Sequence, residues 1–220
     1  MPCKPVLQVQ DGGDMPVGKI ICLARTYRRH AEEMGSLVAD DLVMFLKPSS
    51  AVIHDGQSIR IPGEVGEVHH EVEMAVVIGR EGSHIPASSA ASHIYGYAVA
   101  VDVTARDVQY EAKQQGLPWT TAKGYDTFCP LSSVAPASQI EDPHALALSL
   151  SVNGDQRQAS TTARLLYSVH EIIAAVSRVM TLCPGDVILT GTPEGVGPLQ
   201  RGDVVEAHLD AYCHLMVSVA

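Results

Sequence analysis

Two glutamates stand one residue apart in the run His69-His70-Glu71-Val72-Glu73-Met74-Ala75-Val76-Val77. In an extended strand successive side chains alternate faces with a rise of ~3.3 Å, so Glu71 and Glu73 would share a face about 6.6 Å apart, with Val72, Met74 and Val76 on the other. Alone, such a pair is a solvated polar edge. Its company argues for more. Asp102 interrupts the apolar run Ala98-Val99-Ala100-Val101-Asp102-Val103, where an ionised carboxylate needs a cation to offset its desolvation. Three carboxylates without thiolates form a hard oxygen set suited to Mg²⁺ or Mn²⁺, and three protein ligands leave positions open for water and substrate. His69 and His70 keep zinc as an alternative, a weaker one because adjacent strand residues face opposite ways and cannot both converge on one ion.

A second group lies in Arg25-Thr26-Tyr27-Arg28-Arg29-His30-Ala31-Glu32-Glu33. On a helix His30 and Glu33, at i and i+3, meet on one face. A carboxylate that orients an imidazole and raises its basicity would let His30 take a proton near neutral pH; ordinary surface charge pairing is the plainer reading of the segment by itself. Arg106 and Gln109 follow Asp102, and Lys123 follows the turn Gly116-Leu-Pro-Trp-Thr120, so all three are candidate binders of an acid substrate. Fixed positive charge there would stabilise a developing enolate. The stretch Gly185-Asp-Val-Ile-Leu-Thr190-Gly191-Thr192-Pro193-Glu194-Gly195-Val-Gly197 is a strand entering a glycine-rich loop. It lacks the Lys-Ser/Thr of a phosphate loop and the spacing of a dinucleotide fold, so the loop suits close approach to a small ligand, with Thr192 facing it. No Gly-x-Ser-x-Gly elbow is present.

These residues must be held by a scaffold, and short β-branched runs between Gly and Pro breaks predict strands at 18–23, 42–46, 71–79, 94–103, 146–153, 186–190, 203–209 and 214–219. Helical character is confined to Thr26–Met34, Thr104–Gln115 and Ser168–Met180, the last with Ile172, Val176 and Val179 at helical spacing. Asn153-Gly154 predicts a hairpin turn. The class is therefore α+β with a dominant mixed sheet. The 220 residues, 46% hydrophobic and 18% charged, suffice for a real core, and we expect one domain over 1–220 with a short N-terminal extension at 1–17. A formal net charge of −10 repels phosphate backbones and anionic lipid, which argues against nucleic-acid and membrane partners. Five scattered cysteines, no apolar signal core and no bilayer-length apolar run place the protein in the cytoplasm.

The segments R-x-Y-x-x-H-x-x-E, F-L-K-P-S, H-H-E-V-E, D-V-T-A-R-D-V-Q, G-L-P-W-T-x-A-K-G-Y-D and L-T-G-T-P-E-G-V-G-P occur in an order that resembles the fumarylacetoacetate hydrolase family, from about Gly18 to the C-terminus. The resemblance is to its small members: acylpyruvases, fumarylpyruvate hydrolases and oxaloacetate decarboxylases. It implies a mixed β-sandwich roll with a few short helices, a homodimer, and Mg²⁺ or Mn²⁺ on the residues matching Glu71, Glu73 and Asp102. It implies a water-activating His30–Glu33 dyad on a segment that closes over substrate, a catalytic Lys123, and substrate contacts from Arg25, Arg106, Gln109 and Thr192. The activity expected is hydrolysis of a C–C bond in a 2,4-diketo acid with release of pyruvate. Oxaloacetate decarboxylation and isomerisation of hydroxymuconate-type diacids are the alternatives. Many relatives read Gly-Arg-Asn-Tyr where this chain has Ala24-Arg25-Thr26-Tyr27, which bears on loop closure and substrate preference.

Overall fold

The computed structural model describes residues 5–33 and 42–220. Its centre is a six-stranded sheet in the order Ala135–Pro136, Ile94–Val101, Val72–Ile78, Val187–Leu189, Ile20–Ala24 and Val43–Lys47. All neighbours run antiparallel except Val187–Leu189 and Ile20–Ala24, which are parallel. Every residue of Val72–Ile78 is buried. That is why this strand is apolar at every position but Glu73, the pattern of a sheet covered on both faces.

A five-stranded sheet, in the order Asp155–Thr161, Ala147–Val152, Val204–Leu209, Cys213–Val219 and Ser58–Ile59, packs against one face. Its strands alternate: in Cys213–Val219 the odd-numbered residues are buried and the even-numbered ones exposed, as expected of a sheet with one face in water. Val72, Met74 and Val76 meet Leu148, Leu150, Leu215 and Val217 in the core between the sheets, joined by Ile172, Ile173 and Val176 of the helix Val169–Val179. On the opposite face Ala75, Val77, Ala98 and Ala100 pack with Leu7, Val52 and Leu131. The architecture is the strand-dominated α+β roll expected from the sequence. Among the described residues no helix is long and apolar enough to cross a membrane.

All eight predicted strands form, with ends shifted by a residue or two. Asp155–Thr161 was not among them. It pairs with Ala147–Val152 through Asn153-Gly154, both at positive φ (54° and 84°), as a primed hairpin turn requires. The first helix is Arg28–Glu33, shorter at its start than the pattern suggests; Met34 lies outside the described residues. The second begins at Arg106, because Thr104 and Ala105 pair with His69 and Val68 in a strand, and it ends on Gly116 at φ 66°. The third is closed at its start by a capping box: Ser168 Oγ accepts from Glu171 N, and the Glu171 carboxylate accepts from Ser168 N. Val179 departs from expectation. It sits in the last turn, 66% exposed, and Ile173 fills the core instead.

Two features of this topology matter for the site. Val72–Ile78 and Ile94–Val101 pair with Val72 opposite Val101, which brings the chain entering one strand beside the chain leaving the other. The parallel pair Val187–Leu189 and Ile20–Ala24 sends both following loops, 190–195 and 25–27, to the same sheet edge.

Candidate active site

The three acids converge where those chains meet. Glu71 lies between the strand Val68–His70, which belongs to a small sheet with Thr104–Ala105 and Gly197–Leu199, and the strand Val72–Ile78. The chain passes from one sheet to the other at Glu71, and the Glu71 and Glu73 carboxylates still converge on one side as their spacing predicts. Asp102 follows directly on Val101, and its N–H donates to Glu71 O at 2.8 Å. One carboxylate oxygen from each of Glu71, Glu73 and Asp102 lies within 4.8 Å of the others, and all three side chains are buried.

Two buried lysines face this group. Lys123, 2% exposed, donates to Glu71 Oε2 at 2.8 Å, Asp102 Oδ2 at 2.6 Å and Thr104 Oγ1 at 2.6 Å. Lys47 Nζ lies 2.7 Å from Asp102 Oδ1 and donates to the carbonyls of Val103 and Lys123. Arg106 Nη2 reaches Glu71 Oε1 at 2.5 Å. Burial alone would raise the Glu71 carboxyl, but Lys123 and Arg106 outweigh it and hold it well below the usual carboxylate range. Glu73 goes the other way. Burial and the charges of Asp102 and Glu71 push it well above that range, against the weaker pull of Lys123 and of the Gly191 N–H that donates to Oε2 at 2.5 Å. Lys123 is held above the ordinary lysine range, its burial overcome by Asp102 and Glu71.

The donor set fits a hard divalent cation. Burial and the neighbouring Asp102 and Glu71 penalise a charge on Glu73, a penalty that a divalent cation would offset, and among the described residues no hydrogen-bond donor satisfies the buried Asp102 Oδ1, although Lys47 is its ion-pair partner. Convergent all-oxygen carboxylates with a free lone pair are what Mg²⁺ or Mn²⁺ takes.

A small cleft opens over these acids, and His30, Thr192, Gln109, Arg106 and Arg25 line it with them. His30 Nδ1 lies 3.1 Å from Glu33 Oε2, and the Glu33 carboxylate also accepts from Gly195 N at 3.1 and 3.3 Å. The helix Arg28–Glu33 is thus tied to the glycine-rich loop. Arg25, His30, Glu71, Glu73, Asp102, Arg106, Gln109, Lys123 and Thr192 all line the cleft, and Glu33 stands behind His30. Arg25 holds φ 63°, a left-handed conformation uncommon outside glycine. Thr26 is buried and donates to Thr190 O at 2.7 Å. Gly191, at φ 95°, has no room for a side chain because a Cβ would fall 1.9 Å from Thr26 Oγ1. The two histidines divide as their alternation predicts: His70 is buried and bonded to Gln158, while His69 is half-buried beside Glu67 and Arg106.

Sequence reasoning missed four residues here. Lys47 had a signal, being a lysine at the end of an apolar strand much as Asp102 is an aspartate in one. Lys113 and Trp119 line the cleft, with Lys113 Nζ 5.3 Å from the centre of the Trp119 ring. Burial of the lysine stem and the nearby Arg106 pull Lys113 below its ordinary range. Gln158, on Asp155–Thr161, is buried; its Oε1 faces His70 Nδ1 at 3.0 Å and accepts from Val72 N, while its Nε2 donates to Thr192 Oγ1 at 2.8 Å and Pro193 O. It lies in a polar stretch with nothing to mark it.

A strand roll with carboxylates and basic groups converging under one cleft belongs to an enzyme class working on small organic acids. The chain belongs to the fumarylacetoacetate hydrolase family: the family model for the fumarylacetoacetate (FAA) hydrolase C-terminal region matches residues 19–220. It is 46% identical over 200 residues to an oxaloacetate tautomerase of Escherichia coli (strain K12), covering 90% of this chain and 91% of that one. It is 45% identical to the mitochondrial oxaloacetate tautomerase of Mus musculus, covering 91% and 90%. A crystal structure of fumarylpyruvate hydrolase from Pseudomonas aeruginosa in complex with Mn²⁺ and pyruvate superposes with a TM-score of 0.96 at 35% identity, covering 100% of this chain and 97% of that one.

Proposed function

We propose that the protein catalyses keto–enol proton transfer on a small 2-keto diacid of the oxaloacetate class, with Mg²⁺ or Mn²⁺ held by Glu71, Glu73 and Asp102. The observation that carries this reading is the basic wall of the cleft: Arg25, Arg106, Lys113 and Lys123 line it above the three acids. With a divalent cation offsetting most of the carboxylate charge, these four leave positive potential for a substrate with two carboxylates. The tautomerase names of the relatives at 45–46% identity point to the same substrate class.

A bound divalent cation supplies Lewis acidity toward a keto oxygen and lowers the cost of removing a neighbouring C–H proton. His30, oriented by Glu33, takes that proton at carbon and returns it at the other end of the keto–enol unit. The Glu33 carboxylate fixes the ring orientation through Nδ1, which leaves Nε2 as the working nitrogen. Lys123 keeps a fixed ammonium over developing negative charge. Arg25, Lys113 and Gln109 orient the distal carboxylate, and Thr192, held by Gln158, shapes the side opposite the cations.

Hydrolysis of a 2,4-diketo acid is the second reading. The His30–Glu33 pair favours it, since the same base that moves a carbon-bound proton can activate water, and so does the fold match to fumarylpyruvate hydrolase. The test is to add the purified protein to enol-oxaloacetate and follow the decay of enol ultraviolet absorbance with Mg²⁺ or with EDTA, measuring pyruvate release from acetylpyruvate in parallel. Acceleration that EDTA abolishes supports the tautomerase. EDTA-sensitive pyruvate release without enol decay above background replaces it with the hydrolase. The homodimer belongs to the same proposal, and sedimentation velocity reads it directly.

A further inference from the structure

We propose a second metal site, for a borderline transition ion such as Zn²⁺, formed by Glu206, His208 and His214 on the outer face of the five-stranded sheet. The strands Val204–Leu209 and Cys213–Val219 form an antiparallel hairpin in which His208 stands directly opposite His214. Glu206 is two residues from His208 and so on the same face. Val205, Ala207, Leu209, Cys213 and Leu215 point into the core, which leaves the two imidazoles and the carboxylate turned outward.

The three ligand atoms already sit close to a coordination geometry. His208 Nε2 lies 3.2 Å and His214 Nε2 3.1 Å from one oxygen, Glu206 Oε1, and the ring centroids are 4.8 Å apart. With Zn–N and Zn–O bonds of about 2.0–2.2 Å, tetrahedral ligands stand about 3.3–3.5 Å apart, so both nitrogen–oxygen separations are within a few tenths of an ångström of that spacing, and all three ligand atoms lie within 4.8 Å of one another. Both imidazoles converge through the same nitrogen, the arrangement in which an ion replaces shared protons. The backbone beneath is paired strand on both sides, since Ala147–Val152 flanks Val204–Leu209, and sites on such elements hold geometry better than sites on loops.

The chemistry differs from that of the cleft. The acid cluster Glu71, Glu73 and Asp102 offers carboxylate oxygens, whereas this face offers two imidazoles and one carboxylate, a set that selects zinc, nickel or copper over magnesium. Three protein ligands leave a fourth position for water or for a donor from another molecule. The site lies on a different sheet face from the cleft, so the proposal stands apart from the catalytic reading.

The test is metal stoichiometry and affinity by titration calorimetry with Zn²⁺ in excess Mg²⁺, on the full chain and on His208→Ala, His214→Ala and Glu206→Gln. The wild type is expected to bind one more Zn²⁺ per chain than either histidine variant. Loss of one ligand of three should weaken the site by at least about tenfold, since even an outer-shell partner of a metal ligand is worth 10–100-fold. Melting temperature and Mg²⁺-dependent turnover should match wild type in all three, because these side chains are 37–47% exposed and outside the cleft. Equal Zn²⁺ uptake by wild type and both histidine variants overturns the proposal, as does no uptake by the wild type beyond the cleft.

Discussion

Lys123→Met removes the central ammonium of the acidic cleft while keeping the length of the side chain. The lysine is 2% exposed and touches Glu71, Asp102 and Thr104. Taking one partner out of a buried ion pair costs about 3–5 kcal/mol, because the remaining charge is stranded away from water. Here each carboxylate keeps a second cation, Arg106 at 2.5 Å from Glu71 and Lys47 at 2.7 Å from Asp102. That puts the loss at the lower end, about 3 kcal/mol, or about 6–12 °C in Tm for a chain of this size. The same substitution removes a cation that competes with a metal for the carboxylates. A ligand at 100 times its Kd returns about 2.7 kcal/mol, so thermal melts of both proteins in EDTA and in Mg²⁺ should show the gap between them narrowing when the metal is added. An equal gap under both conditions, or no loss in EDTA, would refute this account of what Lys123 balances.

Three further outcomes follow from the site. Glu73, held above the carboxylate range, binds its proton more tightly folded than unfolded; its stabilising contribution is present at low pH and is lost as pH rises through the folded value. Glu73→Gln should therefore melt above wild type in EDTA at pH 8 and show no Mg²⁺-dependent rise, and a variant that melts lower there contradicts the assignment. His30→Ala should lower kcat by about 10²–10⁴-fold while retaining the Mg²⁺-induced rise in Tm, with Glu33→Gln losing less; wild-type turnover by His30→Ala would remove the dyad from the mechanism. Lys113→Met should raise KM for a diacid about tenfold, the weight of one charge-assisted contact, and leave KM for a monoacid such as acetylpyruvate unchanged, so an equal effect on both acids would show that Lys113 does not read the second carboxylate.

The long strands and helices were legible because each carries a burial signal in its composition: the doubly covered Val72–Ile78 is apolar at every position but Glu73, and the half-covered Cys213–Val219 alternates. Asp155–Thr161 carries neither, since most of its residues face water, and only tertiary pairing makes it a strand. The residues lining the cleft were likewise readable by type, because a carboxylate in an apolar run announces a compensating partner. Their geometry was not. The spacing of Glu71 and Glu73 implied a shared side, but the passage from one sheet into another at Glu71 depends on the pairing of Val68–His70 with Thr104–Ala105 and Gly197–Leu199, which no local pattern encodes. Gln158 and Lys113 show the same limit: a lone polar residue on a polar element gives no sign of what it will touch.

The strand Val187–Leu189 lies between Val72–Ile78 and Ile20–Ala24, both of which leave the ribosome long before it does. Until it arrives, each holds an open hydrogen-bonding edge along a wholly apolar stretch, the condition in which nascent chains add to one another. The stretch of translation between Ile78 and Val187 is therefore the hazardous interval, and the chain is expected to need holding by chaperones through it. Stop codons placed before Val187 should give insoluble product, whereas a break in the exposed Asn153-Gly154 turn, with both halves supplied, leaves the missing strand available to close the sheet.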